Sequence, residues 1–371
     1  MAKNVDVGKI GIGPEGRMGG VLQVFVFLAA GLLLGCYLLP PDFIAMKFFP
    51  LLLFYLIPLV HLAVAGLGWP LVPPMGTWWA PGKSRVVAGL GMTAILAIFT
   101  FIFIFFMTSV YPKWPISPLY PWFGTVLFWA TLLYTINWDC WPFRGKMHPW
   151  ATMFLAFFVN LGITLLIWNF VPNFGGTPFE NSPMDPKGPV NILWLTGYLN
   201  WAMVWYTYLN PTFTTQGTPF QKLGHPGGAI AQTIVSHILA YVSWTGTLAL
   251  GMSPTFSSCA LMASLLFWSY IHSWHLNFLG VTKFTGGKRA VAAFVVELIL
   301  ALIWVYVSRI ALTPIAAKMA ALNIPLDVNV LTLYYTLTIC LGTIIIHNVF
   351  WLRWPLTLPM PPGTPPPDQA E

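Results

Sequence analysis

The chain has 371 residues, of which 57% are hydrophobic and only 7% are charged, and its formal net charge is +7. A soluble protein with so few charged residues would lack a polar coat, so the composition excludes an ordinary globular domain and indicates an integral membrane protein. The excess of positive charge is attributed to the orientation of the helices in the membrane, and no nucleic-acid partner is expected.

Ten apolar stretches follow one another along the chain, and each is long enough to cross a lipid bilayer. A hydrocarbon core of roughly 30 Å requires about 20 mainly apolar residues in helical form. The predicted helices are 21–39, 48–69, 86–110, 122–139, 150–171, 190–209, 227–251, 257–280, 290–312 and 328–352. The sequence therefore predicts an all-α integral membrane protein with about ten transmembrane helices.

Three regions of different composition divide the chain. Residues 1–20 are predicted to be a cytoplasmic lead-in, and residues 21–358 a single polytopic transmembrane domain. Residues 359–371 contain six prolines, which favours an extended, disordered cytoplasmic tail. The outer loops are short and rich in proline, so any soluble catalytic or electron-carrying domain is expected on a partner subunit.

Lysine and arginine residues are concentrated at alternate ends of the predicted helices. Twelve lie at one set of ends, namely Lys3, Lys9, Arg17, Lys83, Arg85, Arg144, Lys146, Lys222, Lys283, Lys288, Arg289 and Arg353. The other set holds five, namely Lys47, Lys113, Lys187, Arg309 and Lys318. Because positively charged loops remain in the cytoplasm, this bias predicts two cytoplasmic termini and insertion in the cell inner membrane.

A dipeptide ending in proline recurs at or after the ends of the even-numbered helices. Trp69-Pro70, Trp141-Pro142 and Trp354-Pro355 end the second, fourth and tenth helices, and Thr218-Pro219 follows the sixth. Lys283-Phe284 follows the eighth helix, where the missing member of this series would lie. Each interval is then about the length of two helices and their loops, so the repeat predicts five tandem helical hairpins. This layout resembles the tellurite-resistance and plant slow anion channels, in which hairpins surround a pore.

A closely copied pair, His148-Pro149 and His225-Pro226, lies before the fifth and seventh helices. A matched pair of cytoplasmic sites is one interpretation. The favoured interpretation is structural: proline at the first helical position, preceded by a polar residue able to cap, starts each helix.

Ionisable residues inside the predicted helices are the main functional signal, because they are costly in hydrocarbon and usually persist for a reason. They are His61, His237, His272, His275, Glu297 and His347. We count residues from the nearest Trp-Pro, proline or basic residue at the cytoplasmic end of each helix. At about 1.5 Å per residue, all six then lie at a similar depth, roughly 9–16 Å below the cytoplasmic surface of the membrane. A shared depth is what a membrane cofactor would require.

The candidate cofactors are haem b, another metal centre or a quinone. Haem b needs neutral imidazoles from different helices, which the five histidines offer, and a metal site would use His272, His275 and Glu297. Nineteen tryptophans offer flat walls for a quinone. Glu297 and Asp139 are candidate proton carriers or supporting residues. The structural interpretation is that each histidine bonds a group on the next helix, and that Asp139 pairs with Arg144.

Two functions follow from these observations. The first is a membrane subunit of a redox complex that binds a haem, metal or quinone in the cytoplasmic leaflet and works with other subunits, including a peripheral redox protein. The second is a secondary transporter or channel. The scarcity of charged residues along the spans then favours a neutral or lipophilic solute.

Overall fold

The computed structural model describes residues 17–44, 49–66, 84–110, 119–209, 220–276, 278–284, 286–323 and 326–351. Most of these residues are helical, which confirms the all-α fold class. A two-residue parallel strand pair in one loop, Pro172–Asn173 with Val190–Asn191, is an addition that the sequence did not indicate. The predicted lead-in and the proline-rich tail lie largely or wholly outside the described residues.

Ten long helical segments can be followed through the described residues, and several continue into a π-helical turn. The first five are α1 (Arg17–Leu32, then Leu33–Leu38), α2 (Phe49–Val60, then His61–Gly66), α3 (Arg85–Val110), α4 (Leu119–Leu132, then Leu133–Asn137) and α5 (Pro149–Phe170). The next four are α6 (Ile192–Leu209), α7 (Gly227–Ala249), α8 (Phe256–Leu261, Met262–Tyr270 and Ile271–His275) and α9 (Gly286–Ala321). The last, α10, comprises Val328–Leu333, Tyr334–Leu341, Gly342–Ile345 and Ile346–Phe350.

Local capping explains where some of these helices begin. His148 caps α5 by accepting a bond from the Trp150 N–H, and Pro149 is the first helical residue, as the structural interpretation predicted. Asp327 caps α10 in the same way through the Asn329 N–H at 2.9 Å. The prediction for α7 was wrong in detail: Pro226 occupies the cap position and no side chain caps this helix, which begins at Gly227.

Within the described residues, five helices are long and apolar enough to cross a membrane by length and composition, namely those within α1, α3, α5, α9 and α10. Four of them, α1, α3, α5 and α9, bury only 28% of their most apolar window, whereas α10 buries 78%. Apolar side chains therefore cover the outside of the bundle, as lipid contact requires.

The even-numbered helices form a closed inner ring. Helix α2 packs against α4, α4 against α6, α6 against α8, α8 against α10, and α10 returns to α2. The odd-numbered helices lie outside, against two or more members of the ring: α3 contacts α2 and α10, α5 contacts α4 and α2, and α7 contacts α6 and α4. Each of these three outer helices thus packs against the inner helix that precedes it in the chain, and the predicted division into five tandem hairpins stays a prediction.

Close packing between inner and outer helices depends on small residues at particular positions. A side chain at Gly197 of α6 would meet the Trp244 ring of α7 at 2.4 Å. Trp244 is almost fully buried, so it has little space to move. Gly162 of α5, by contrast, has nothing within 4 Å of the position of an added Cβ.

We expect Gly197→Ala to lower the free energy of unfolding by about 1–3 kcal/mol, because the methyl group overpacks the α6–α7 interface. Gly162→Ala is the matched control and should be neutral or stabilising by up to about 1 kcal/mol, since alanine is the better helix former. Thermal or denaturant unfolding in detergent measures both. Equal effects of the two substitutions would contradict the packing assigned to Gly197.

Candidate functional site

The axis of the inner ring holds a narrow cavity of about 20 Å³. All five inner helices contribute to its wall: Val60, Ala63 and Val64 from α2, Phe128, Leu132 and Ile136 from α4, Thr207 from α6, Leu266 and Tyr270 from α8, and Leu337, Leu341 and Ile345 from α10. A space of this size holds about one water molecule. The axis is therefore closed in this conformation.

The wall of this axial cavity consists almost entirely of hydrocarbon side chains. Among the described residues of its wall, Thr207 and Tyr270 alone bring polar groups, and both carry hydroxyls. Phe128 is the largest purely apolar side chain in the wall and is 4% exposed. A wall of this kind offers almost no groups that could replace the hydration shell of an ion.

His61 lies on the outer side of the ring, where α2 meets α5. Its Nδ1–H donates to the Ile57 carbonyl oxygen at 2.7 Å, and the Asn160 Nδ2 amide group of α5 bonds its Nε2 at 2.8 Å. Both side chains are buried. The imidazole thus connects an inner helix to an outer one with both ring nitrogens engaged.

Equivalent polar links recur around the ring. Asn137 of α4 donates to the Thr233 hydroxyl of α7 at 2.6 Å. The Trp351 indole N–H at the end of α10 donates to the Thr93 hydroxyl of α3 at 3.1 Å. Together with His61–Asn160, these bonds connect α2 to α5, α4 to α7 and α10 to α3. Each inner helix is thus bonded to the outer helix three places later in chain order, when α1 is counted after α10.

Glu297 of the outer helix α9 completes a fourth link. One carboxylate oxygen bonds the Tyr208 hydroxyl of α6, and the other lies 2.7 Å from Nδ1 of His272 on α8. Nε2 of His272 is 3.0 Å from the Leu279 carbonyl oxygen, so it must carry a proton, because a carbonyl only accepts. One further proton lies between His272 and Glu297, which leaves the buried pair neutral overall.

His237 of α7 forms a separate cluster with two tyrosines of α6. The Tyr198 hydroxyl lies 2.5 Å from its Nδ1, and the Tyr206 hydroxyl lies 2.6 Å from its Nε2. A neutral imidazole has one N–H and one lone pair, so one tyrosine accepts and the other donates. The Trp129 ring of α4 packs edge-on against this imidazole at 5.8 Å.

The remaining predicted histidines lie at the ends of α8 and α10. The His347 ring is buried 5.5 Å from the Phe27 ring of α1. The backbone of His275 ends the π-helical turn of α8, and its side chain is outside the described residues. Of the predicted metal ligands, the structure brings His272 and Glu297 together. Among the described residues, no group of three His, Cys, Asp or Glu side chains could hold a metal ion.

Asp139 follows the end of α4 and pairs with Arg144 at 2.7 Å. The same guanidinium donates to the Val64 carbonyl oxygen of α2 at 2.6 Å. Burial raises the pKa of Asp139, and the positive charge of Arg144 opposes that shift. The ion pair joins the ends of two adjacent inner helices, which agrees with the structural interpretation of this carboxylate.

A second, larger cavity lies on the outside of the ring, among α2, α3 and α5. Its volume is about 310 Å³, and it is lined by Pro58, His61, Phe99, Ile102, Phe103, Phe106, Met153, Phe154, Phe157, Phe158 and Leu161. We call it the His61 cleft. Ile102, Phe106 and Phe158 are exposed, so the cleft opens on the outer, apolar surface of the bundle. Of the described residues that line it, His61 has the one polar side chain.

Comparison with known proteins adds no functional information. The chain matches no protein-family model, and no curated protein or solved structure is significantly similar to it. What the fold defines is the class: an α-helical membrane protein whose apolar helices contact the lipid bilayer.

Several residues of these sites were not singled out by the sequence. Asn160, Tyr198, Tyr206 and Tyr208 supply the bonds to the predicted histidines and Glu297. Asn160 carries a usable signal, since a polar amide in the middle of a predicted span needs a partner. The tyrosines carry no such signal, because tyrosine is common on lipid-facing and buried surfaces alike.

We expect Glu297→Ala to lower the free energy of unfolding by about 3 kcal/mol, because it leaves Tyr208 and His272 buried without their common partner. Glu297→Gln should cost less, since the amide retains hydrogen-bonding atoms for both. Glu180→Ala, in an exposed loop, is the control and should change it by no more than about 0.5 kcal/mol. If all three variants unfold alike, the structural role of Glu297 is refuted.

Proposed function

We propose that this chain is a channel or secondary transporter for a small neutral or lipophilic solute, which moves along the axis of the inner ring. The observation that carries the proposal is the cavity on that axis, to which all five inner helices contribute side chains. The ring closes through α10 and α2, so the path has a continuous wall. The polar links lie between inner and outer helices and strengthen this wall from outside.

The proposal includes the finer topology. Ten spanning helices, two cytoplasmic termini and a position in the cell inner membrane follow from the alternating distribution of lysine and arginine. A neutral solute is favoured because the hydroxyls of Thr207 and Tyr270 are the polar groups available along the described axis. Opening requires Phe128 and its neighbours to separate, since the space between them is about that of one water molecule.

A second candidate is the membrane subunit of a redox complex that binds a quinone and acts with other subunits and a peripheral redox protein. The His61 cleft supports it, because its volume and aromatic wall suit a lipophilic ring that enters from the bilayer. Between the cofactors, geometry favours quinone over haem b or a metal centre. The ring nitrogens of His61, His237 and His272 are engaged by protein atoms, whereas a haem ligand needs one nitrogen free for iron.

We expect Phe128→Ala to raise the glycerol permeability of reconstituted liposomes about tenfold, because removal of the ring widens a dewetted constriction. Stopped-flow light scattering measures the swelling rate against protein-free liposomes. Phe101→Ala is the matched control, since Phe101 is 70% exposed on the outer face of α3 and should leave permeability unchanged.

The same liposome and protein preparations distinguish the two candidate functions. A redox subunit would carry extractable quinone or a coloured cofactor and would give no protein-dependent glycerol flux in either variant. Absence of any effect of Phe128→Ala, together with stoichiometric quinone in the purified protein, would reverse the order of the two candidates.

A further inference from the structure

We infer that Thr207 and Tyr270 form a binding site for one hydroxyl group on the axis of the inner ring. In the closed conformation the site takes a water molecule, and in the open conformation it takes a hydroxyl of the passing solute. The inference rests on the proposed function and narrows its solute to a small alcohol or polyol. We call this pair the Thr207–Tyr270 site.

The two side chains come from neighbouring inner helices and meet at the axial cavity. Thr207 lies on α6 and Tyr270 on α8, and both line the cavity of about 20 Å³. Both are buried, and their hydroxyls are hydrogen-bonded to each other. Among the described residues of the wall, this pair supplies the polar groups, so a solute meets hydroxyls at one level of an otherwise apolar path.

The hydroxyl of Thr207 is held less tightly by its own helix than the hydroxyls of comparable threonines. It donates to the Met203 carbonyl oxygen at 3.2 Å, which is beyond the usual range of an O–H···O bond. In the other described threonines that donate to the carbonyl four residues earlier, the distance is 2.9 Å or less. The longer bond at Thr207 agrees with a second partner at Tyr270.

The bonds of Thr207 leave it able to accept one more. A hydroxyl has one proton and two lone pairs, so it can take part in three hydrogen bonds. Met203 and Tyr270 account for two of them. Whichever of these partners receives the proton, a lone pair of the Thr207 oxygen remains. A guest on the axis must therefore donate, as the O–H of water or of an alcohol does.

The size of the cavity sets the size of the guest. A space of about 20 Å³ holds about one water molecule, and a buried water needs two to four polar partners. Thr207 and Tyr270 meet the lower limit. A solute hydroxyl offers the same donor in a similar volume, so it can replace this water as the molecule passes, while its carbon atoms contact the hydrocarbon wall.

Glycerol flux through the Phe128→Ala chain tests the solute class. Addition of Thr207→Val removes the hydroxyl with little change of shape and should lower glycerol permeability about fivefold, the value of one hydrogen bond. Thr207→Ser keeps the hydroxyl and should leave the flux unchanged. Thr135→Val is the matched control: Thr135 is also fully buried, donates to the Thr131 carbonyl oxygen at 2.6 Å and lies outside the described wall of the cavity.

Radiolytic labelling of the chain in detergent tests the site without any flux. An X-ray pulse makes hydroxyl radicals from bound water, and these oxidise the side chains beside it, which mass spectrometry then identifies. Tyr270 and Leu266 of the cavity wall should be oxidised in the wild-type chain and in Thr135→Val. Thr207→Val should lose both labels, because one remaining polar partner is too few to hold a water molecule.

Three outcomes would overturn the inference: undiminished glycerol flux when Thr207→Val is added to Phe128→Ala, no oxidation of Tyr270 and Leu266 in the wild-type chain, or oxidation that persists in Thr207→Val. Absence of glycerol flux in Phe128→Ala itself would count against the proposed channel. The labelling then still decides whether the Thr207–Tyr270 site exists, so the two failures are distinguishable.

Discussion

Polar groups inside a bilayer must find their partners within the protein, and that constraint organises this structure. Four of the described links between the inner ring and its surrounding helices use a polar side chain near the C-terminal end of an inner helix. His61, Asn137, Tyr208 and Trp351 each reach a partner on an outer helix. Because an unpaired polar atom in hydrocarbon costs several kcal/mol, these links fix the positions of the inner helices relative to the outer helices.

The same constraint keeps most polar side chains away from the axis of the inner ring. The bonded side chains lie between the layers, so the wall of the axis is left to aliphatic and aromatic groups. The proposed passage of neutral molecules rests on this hydrocarbon wall, which offers almost no groups to replace the hydration shell of an ion. π-helical turns occur where His61, His272 and His347 are found, and such turns concentrate at functional or strained positions of helices.

Sequence patterns predicted the helices well, because hydrophobic length alone determines which segments can enter a bilayer. The described segments follow the ten predicted stretches closely, although α9 is longer than predicted, reaching from Gly286 to Ala321. The number of spans and the orientation stay predictions. The depth shared by the histidines and Glu297 stays a prediction, and depth carries no information on rotation around the helix axis. The structure shows that His61 and His237 bond different neighbours, and that His272 meets Glu297.

The pairing of helices could not be predicted for a related reason. Among the five candidate spans, mean hydropathy is higher in the lipid-facing helices α1, α3, α5 and α9 than in the buried helix α10. That contrast is visible in the sequence once the ring is known, but tandem hairpins can be bundled in several ways. Which inner helix touches which outer helix depends on pairs such as Asn160 with His61, which lie 99 residues apart.

The proposed function depends most on one solute path through the middle of the inner ring. Ala63→Cys places a thiol in the wall of that axis, in a background where the four native cysteines are replaced by alanine. Labelling with a neutral methanethiosulfonate reagent should abolish glycerol flux through the Phe128→Ala channel, while labelling of Ile102→Cys in the His61 cleft should leave the flux unchanged. Flux that survives labelling at Ala63→Cys but is lost at Ile102→Cys would contradict the axial path.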